Sequence, residues 1–299
     1  MTRVTLSTPT KQATRTGASF AAALAQRLPL IAFEARRVSA LLAAGLHGRG
    51  RAGPGETFWQ YRPFSAGEPA NRIDWRRSAR HDDHYFVRER EWEAAHTVYL
   101  WIDRSASMHF SSDQAQVSKA DRALVIGLAL ADLLVRSGEC VALMGLTKPS
   151  ASRQVIDRFA EALIADTGVA SQSIPFIPMH SRAEAVVISD FLEPTADLLP
   201  RLALLASSGA KGHLVSVLDP VETEFPFTGE TELVGVESIR RLDIGDADAF
   251  RSTYLDLIER HHQALQIFCA EKGWDFGLHT TERSASSALL PLISRMAAR

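Results

Sequence analysis

The chain has 299 residues, of which 46% are hydrophobic and 23% are charged, which is typical of a globular protein with one sizeable core and a smaller appendage. The formal net charge is -2 and the sequence pI is about 6.6, so no overall positive field favours binding to nucleic acid or to an anionic membrane. No apolar run approaches the roughly 18 residues that a membrane-spanning helix requires, and two cysteines in apolar surroundings indicate free thiols, so we predict a cytoplasmic protein without a membrane span.

The N-terminal part is predicted to contain one long helix followed by an extended segment. Residues 1–17 are rich in Thr, Ser and Lys without periodicity, and we expect them to be mobile. Apolar residues then recur at intervals of three and four from Phe20 to Leu46, which predicts a helix, and the glycine-rich stretch HGRGRAGPGE ends it. We therefore expect residues 18–95 to form a small helical and extended subdomain.

From residue 96 to the C-terminus, apolar strand patterns alternate with helical patterns. The predicted strands are residues 98–103, 141–146, 185–189, 213–219 and 274–280. The predicted helices lie at about 114–136, 153–165, 196–208, 248–271 and 285–298. Nearly continuous apolar strands between helices predict a doubly wound α/β fold with a mostly parallel sheet in residues 96–299. Residues 221–243 interrupt the alternation, and we expect a β-hairpin insertion there.

Small polar side chains follow two of the predicted strands. The stretch VYLWIDRSASM, residues 98–108, places Asp103, Ser105 and Ser107 at alternate positions where the apolar run ends, and a second run, AVVISDFLEP, leads to Asp190. Ligands of open parallel sheets bind beyond the carboxyl ends of the strands, and Mg²⁺ prefers oxygen ligands of this kind. Position and spacing leave two interpretations equally open: a metal site, or residues that cap the following helices.

Two motifs carry a family resemblance. The D-x-S-x-S string resembles the metal-ion-dependent adhesion site (MIDAS) of von Willebrand factor A-like domains. The segment YRPFSAGEPANRIDWRRSARHDDHYFVREREWE, residues 61–93, resembles the signature of the bacterial family called domain of unknown function 58, in which it precedes such a domain. The residues that carry this second resemblance are Tyr61, Arg62, Gly67, Glu68, Arg72, Ile73, Asp74, Trp75, Ala79, Arg80, Val87, Arg88, Glu89 and Glu91.

The resemblance implies a site for Mg²⁺ or Mn²⁺ with Asp103, Ser105, Ser107 and Asp190 as ligands. It also implies a threonine on a third loop, usually after two glycines and before a helix. Thr167 is the candidate, but it lacks the Gly-Gly setting, and prolines at 175 and 178 argue against a following helix. We therefore expect the metal site to be incomplete or weak.

The function that the resemblance implies is protein interaction without catalysis. Von Willebrand A-like domains complete the coordination of their metal with a carboxylate from a protein partner. Members of the family are often encoded beside MoxR-type AAA+ ATPases, which implies a role as adaptor or substrate-delivery partner of such an ATPase. The sequence contains no P-loop, no G-x-S-x-G elbow, no H-E-x-x-H and no Cys-His metal spacing, so we do not expect an enzyme.

Two alternatives come from other functional classes. A Mg²⁺-dependent phosphohydrolase would use Asp103 as its nucleophile, although such enzymes usually place a second Asp two residues later, where this chain has Ser105. A nucleic-acid-binding protein would use the arginines of residues 72–90. Acidic residues alternate with those arginines, so we favour a structural ion-pair network there, with Arg62, Arg72, Asp74, Trp75, Arg80, Arg88 and Glu89 as its members.

Overall fold

The computed structural model describes residues 17–47, 57–65, 69–70, 73–79, 85–91, 96–166, 173–234 and 241–298. These residues form two compact units. The smaller unit lies within residues 49–95, and the described residues before and after that range form the larger unit.

Strands and helices alternate through most of the described chain. The strands are β1 Thr57–Pro63, β2 Phe86–Glu91, β3 Thr97–Ile102, β4 Cys140–Leu143, β5 Glu184–Ser189, β6 Lys211–Leu218, β7 Thr231–Val234, β8 Arg241–Ile244 and β9 Asp275–Thr280. The helices are α1 Gly17–His47, α2 Trp75–Ser78, α3 Lys119–Arg136, α4 Val155–Ala165, α5 Thr195–Ala206, α6 Pro220–Glu224, α7 Ala247–Lys272 and α8 Ala285–Ala297. None of these described helices combines the length and hydrophobicity that crossing a bilayer requires.

A five-stranded parallel sheet is the centre of the larger unit. Its strand order is β4-β3-β5-β6-β9, and every neighbouring pair is parallel. Side chains of successive strand residues point to opposite faces, so Leu100 packs with α1, α3, α4 and α8 while Trp101 packs with α5 and α7. Because helices cover both faces, the central strands β3 and β5 are apolar over most of their length, with polar residues at their ends. The doubly wound α/β fold predicted from the sequence is confirmed.

Helix α1 belongs to the larger unit and packs against α3. Its apolar stripe, from Leu24 to Leu42, is part of the same core as α3. Arg27 Nη1 lies 2.8 Å from each carboxylate oxygen of Asp121, and the Ser39 hydroxyl donates a 2.6 Å hydrogen bond to Asp132 on α3. The sequence predicts that α1 and the segment that follows it form one subdomain over residues 18–95. The structure differs because the apolar face of α1 is buried against α3.

The smaller unit contains a β-ribbon. Strands β1 and β2 pair antiparallel with an irregularity between Phe58 and Gln60, and Ile73 forms an isolated bridge with Val87. The short helix α2 lies between β1 and β2 in the chain, and the Ser78 hydroxyl at its end accepts a 2.9 Å hydrogen bond from the backbone N–H of Phe86.

The insertion between β6 and α7 begins with a helix and continues as a hairpin. Asp219 and Glu222 form a capping box at the start of α6: the side chain of each residue accepts a hydrogen bond from the backbone N–H of the other. Strands β7 and β8 then pair antiparallel and cover a small core of Phe225, Ile244 and Ala247.

Candidate functional site

Three aspartates lie at the carboxyl edge of the central sheet. Asp103, Asp190 and Asp219 each follow the last residue of β3, β5 and β6, which are neighbours in the sheet, and all three are buried. The backbone N–H of Asp103 donates to Ile188 on β5 at 2.9 Å, which fixes the ends of β3 and β5 side by side. We call the space beyond these strand ends the crevice. Asp103 and Asp190, which the sequence places at the ends of two apolar strands, lie there on neighbouring strands, and the charge of Asp190 raises the pKa of Asp103.

Asp103 is oriented by two neutral donors. The backbone N–H of Ser105 donates to its Oδ1 at 2.8 Å, and the hydroxyl of Ser189 donates to its Oδ2 at 2.5 Å. Burial raises the pKa of Asp103, and the charge of Asp190 adds to this effect, whereas the hydrogen bonds from Ser189 and Ser105 act in the opposite direction. Asp103 is thus a fixed carboxylate in surroundings that would be stabilised by a cation.

The two serine hydroxyls of the D-x-S-x-S loop lie beside each other. Ser105 Oγ and Ser107 Oγ are 3.1 Å apart, and Ser107 lies in the 3-10 turn Ala106–His109 and is only half-buried. Adjacent ligands of an octahedral Mg²⁺ ion at its usual Mg–O distance are about 2.9 Å apart. The hydroxyl pair and Asp103 therefore fit as ligands of a divalent cation at the mouth of the crevice.

Asp190 has a cationic partner from the protein itself. The ammonium group of Lys119, the first residue of α3, lies 2.9 Å from Asp190 Oδ2 and 2.6 Å from Glu222 Oε1. Burial acts to lower the pKa of Lys119, but the charges of Asp190 and Glu222 outweigh it, so its pKa is raised and it is charged. The predicted second metal ligand is thus already in an ion pair.

Asp219 links the insertion to the loop between Ser107 and α3. Its Oδ1 accepts from the backbone N–H of Val221 at 3.0 Å, and its Oδ2 accepts from that of Ser112 at 2.8 Å. Glu222 Oε2 accepts from the backbone N–H of Asp219 at 2.9 Å. Asp219 therefore caps α6 and holds the loop that precedes α3.

The backbone is strained beside Asp190. Phe191 is buried, and its φ of 52° lies in the left-handed region, which is unfavourable for a bulky side chain. Its N–H donates to Ser189 Oγ at 3.1 Å, and its carbonyl oxygen accepts from His261 Nε2 at 2.6 Å. These contacts hold the end of β5 in the conformation that brings Ser189 to Asp103.

Arg104 fixes the other side of the D-x-S-x-S loop. Its buried guanidinium donates to the carbonyl oxygen of Leu163 at 3.3 Å and forms an ion pair with Asp166 just after α4. Thr167, the candidate third-loop ligand, lies outside the described residues, so its role stays a prediction.

Most members of the predicted ion-pair network also lie outside what the structure describes. Arg72 and Arg80 are not described, and Arg62, Arg88 and Glu89 are described only as backbone positions of β1 and β2. Asp74 is half-buried, and Trp75 is exposed with its ring edge-on to Tyr85 at a centroid distance of 5.8 Å. The network stays a prediction.

The sequence analysis missed four residues of the crevice: Ser189, Asp219, Glu222 and Lys119. Asp219 ends the apolar run HLVSVLD as Asp103 and Asp190 end theirs, so the same criterion would have found it. Glu222 stands three residues after Asp219, the spacing of a capping box. Lys119 has no such signal, because its partners are distant in sequence.

Other features of the larger unit lie away from this crevice. A cavity of about 310 Å³ lies between the loop of residues 147–150 and α4, and Phe159 and Arg158 are among its lining residues. Among the described side chains, no three His, Cys, Asp or Glu are grouped as metal ligands.

Comparison with known families and curated proteins gives the following matches. Residues 60–264 match the family described as "Protein of unknown function DUF58". The uncharacterized proteins Mb1516 of Mycobacterium bovis and Rv1480 of Mycobacterium tuberculosis are each 28% identical to this chain over 213 residues. Each alignment covers 65% of this chain and 66% of the relative, so the chain spans just under two thirds of the length of these relatives.

Two solved structures are similar at low sequence identity. The conserved hypothetical protein BatB from Bacteroides thetaiotaomicron has 14% identity and a TM-score of 0.39, and the match covers 69% of this chain and 100% of that chain. An aerotolerance-related membrane protein from Bacteroides fragilis has 15% identity and a TM-score of 0.37, with 68% and 100% covered.

Proposed function

The chain belongs to the family described as "Protein of unknown function DUF58", and from this premise we propose that it is a non-enzymatic protein-interaction module with a divalent-cation site at Asp103, Ser105 and Ser107. The observation that carries the proposal is the fixed Asp103 carboxylate beside two hydroxyl oxygens 3.1 Å apart at a strand end. A bound Mg²⁺ or Mn²⁺ ion would supply an open coordination position for a carboxylate oxygen of a partner protein.

The charge of the crevice supports metal-dependent recognition. Four acidic side chains, Asp103, Asp190, Asp219 and Glu222, lie at this edge of the sheet, and the ammonium group of Lys119 pairs with two of them, Asp190 and Glu222. An acidic crevice repels a partner's carboxylate, because like charges are costly where water is excluded. Recognition of a carboxylate at this place therefore requires a cation at Asp103.

The surroundings of Asp103 support a binding role over phosphoryl transfer. Both carboxylate oxygens accept hydrogen bonds, from Ser105 and Ser189. The side chain two positions later is a serine hydroxyl, which is a poor general acid or base at neutral pH. Asp103 thus orients the loop and attracts a cation.

The partner in this proposal is a MoxR-type AAA+ ATPase or a protein that it acts on, in the cytoplasm. This step rests on the family resemblance of the 61–93 segment. Both cysteines, Cys140 and Cys269, are free thiols, which suits a reducing compartment.

The first experiment measures thermal unfolding of the whole chain in rising Mg²⁺ or Mn²⁺. Wild type is compared with Asp103→Asn, which keeps the side-chain shape, and with the control Asp256→Asn on the exposed face of α7. We expect the melting temperature of wild type and control to rise with metal concentration, since a ligand that binds only the folded state stabilises it, and that of Asp103→Asn to stay constant. Equal responses of all three proteins would contradict the metal site.

The second experiment measures capture of a purified MoxR-type ATPase by immobilised protein. The ATPase itself requires Mg²⁺, so the comparison uses variants at constant Mg²⁺ in place of a chelator. We expect Asp103→Asn and Ser107→Ala to lose capture and Asp256→Asn to retain it. Phosphatase turnover that disappears in Asp103→Asn would instead support an enzyme.

A further inference from the structure

We infer that Lys119 is the resident cation of the crevice: its ammonium group occupies the side of Asp190 that faces the cluster, so a divalent ion binds through Asp103, Ser105 and Ser107 and Asp190 is not a metal ligand. The inference rests on the proposed metal site and corrects its ligand set. It makes Lys119 and Asp190 positioning residues for that site.

The burial and contacts of Lys119 carry the first step. Its side chain is 1% exposed, and its ammonium group is within hydrogen-bond distance of two carboxylates, at 2.9 Å from Asp190 and 2.6 Å from Glu222. A lysine is almost never fully buried unless it is paired. Lys119 therefore cannot leave the crevice to make room for an ion without depriving the buried Asp190 and the half-buried Glu222 of their cationic partner.

The occupancy of Asp190 carries the second step. Its Oδ2 accepts from Lys119, and its Oδ1 accepts from the backbone N–H of Leu192 at 3.2 Å. A Mg²⁺ ion bound to Oδ2 would lie at most about 5 Å from the ammonium nitrogen. Like charges at that distance repel strongly in a buried crevice, so the ion pair with Lys119 excludes the metal from Asp190.

The neutrality of the Asp103 partners carries the third step. Ser105 and Ser189 donate to the Asp103 carboxylate without adding positive charge. Lys119 compensates charge at Asp190 and Glu222, and Asp103 is the carboxylate that lies in the same loop as the paired hydroxyls of Ser105 and Ser107, so a divalent ion is drawn to it. In this arrangement Lys119 pairs with Asp190 on one side of the crevice, and the divalent ion binds at Asp103 on the other.

The network around Lys119 also sets the position of the metal loop. Lys119 joins α3 to β5 through Asp190 and to α6 through Glu222. Glu222 accepts from the backbone of Asp219, whose side chain holds Ser112. The loop between Ser107 and α3 therefore stays in place without metal, which explains how an ion could bind and leave while the crevice keeps its shape.

The test compares metal-dependent melting shifts in Asp103→Asn, Asp190→Asn and Lys119→Met, with Lys272→Met on the exposed end of α7 as control. We expect Asp190→Asn to keep an apparent Mn²⁺ affinity within about threefold of wild type, although it melts at a lower temperature, whereas Asp103→Asn loses the response. In Lys119→Met, two acids become available to the ion, and we expect an apparent affinity at least about tenfold higher. Loss of the response in Asp190→Asn, or unchanged affinity in Lys119→Met, would overturn the inference.

A metal-free arm separates failure of the inference from failure of the proposed function. In excess chelator we expect Lys119→Met to melt about 10 °C below wild type, because a buried acid loses its partner. The double variant Lys119→Met/Glu222→Gln should melt at a higher temperature than Lys119→Met. If Lys119→Met does not fold, the double variant replaces it in the metal titration. If the melting temperature of wild type does not change with metal concentration, the proposed metal site is wrong. If Lys119→Met melts at the same temperature as wild type in chelator, Lys119 is not the resident cation.

Discussion

At the scale of single residues, His279 is a buried histidine that the fold keeps neutral. It lies on β9 with 3% of its surface exposed, and its pKa is lowered to about 4 by burial first and then by the charge of Arg122, with Arg283 acting in the same direction and Glu282 against it. The unfolded chain binds a proton near the ordinary histidine pKa of about 6.5, so the stability that neutral His279 preserves is complete above that pH and is lost as the pH falls toward 4.

We predict that the free energy of unfolding decreases by about 2 kcal/mol because of His279 when the pH is lowered from 7.5 to 5.0. Urea unfolding at the two pH values measures the difference for wild type and for His279→Gln, which cannot be protonated and should show a difference smaller by that amount. His180→Gln, at an exposed position, should behave as wild type. An unchanged pH dependence in His279→Gln would show that folding does not lower the pKa of His279.

Residue patterns predicted the candidate site in part. Asp103 and Asp190 could be placed together because both end apolar strands, and strand ends of a parallel sheet meet at one edge. The pairing of Asp190 with Lys119 could not be predicted, because a lysine at the start of a helix is usually exposed and its partners stand 71 and 103 positions away. Long-range ion pairs have no local periodicity from which to derive them.

At the scale of elements, α1 carries large apolar side chains on its buried face and also on its exposed face. Leu28 is 2% exposed and belongs to the core shared with α3, whereas Leu41 is 67% exposed. We predict that Leu28→Ala lowers the free energy of unfolding by about 2–5 kcal/mol and that Leu41→Ala changes it by less than about 0.5 kcal/mol. Urea unfolding followed by circular dichroism makes the comparison, and similar losses would mean that α1 does not pack as described.

The elements of the α/β unit could be predicted because each has a strong local pattern. The apolar run 185–189 became β5, Glu184–Ser189, and the periodic stretch 248–271 became α7, Ala247–Lys272. The position of α1 could not be predicted, since its apolar stripe is compatible with any apolar surface and the match to α3 is a property of the folded chain. Helix α6 was missed because five residues are too few to show helical periodicity.

At the scale of the whole molecule, the two thiols differ in how deeply they are buried in the larger unit. Cys140 is half-buried at the start of the edge strand β4, whereas Cys269 is buried on α7 and its pKa is raised to about 12 by burial and by the charge of Asp275. Reaction with a disulfide reagent requires the thiolate. Cys269 is therefore protected until the unit opens.

We predict that, of these two thiols, only Cys140 reacts rapidly with Ellman's reagent in the native protein at pH 8, while both react in strong denaturant. In Cys140→Ser the remaining thiol should react slowly in native buffer, at a rate that follows unfolding of the larger unit. Rapid reaction of that variant would show that α7 opens independently of the rest.

The Lys119 network also has a consequence for the order in which the chain assembles. Lys119 is made 71 residues before Asp190 and 103 residues before Glu222, which corresponds to about 4–14 seconds and about 5–20 seconds at ordinary rates of synthesis. During this interval α3 exists without the acids that allow its first side chain to be buried. The crevice is therefore completed late, after α6 has been synthesised, although Asp103 is among its earliest residues. A nascent chain that stops before residue 189 carries the D-x-S-x-S loop without Ser189, Asp190 and Asp219, the partners of Asp103, Lys119 and Ser112.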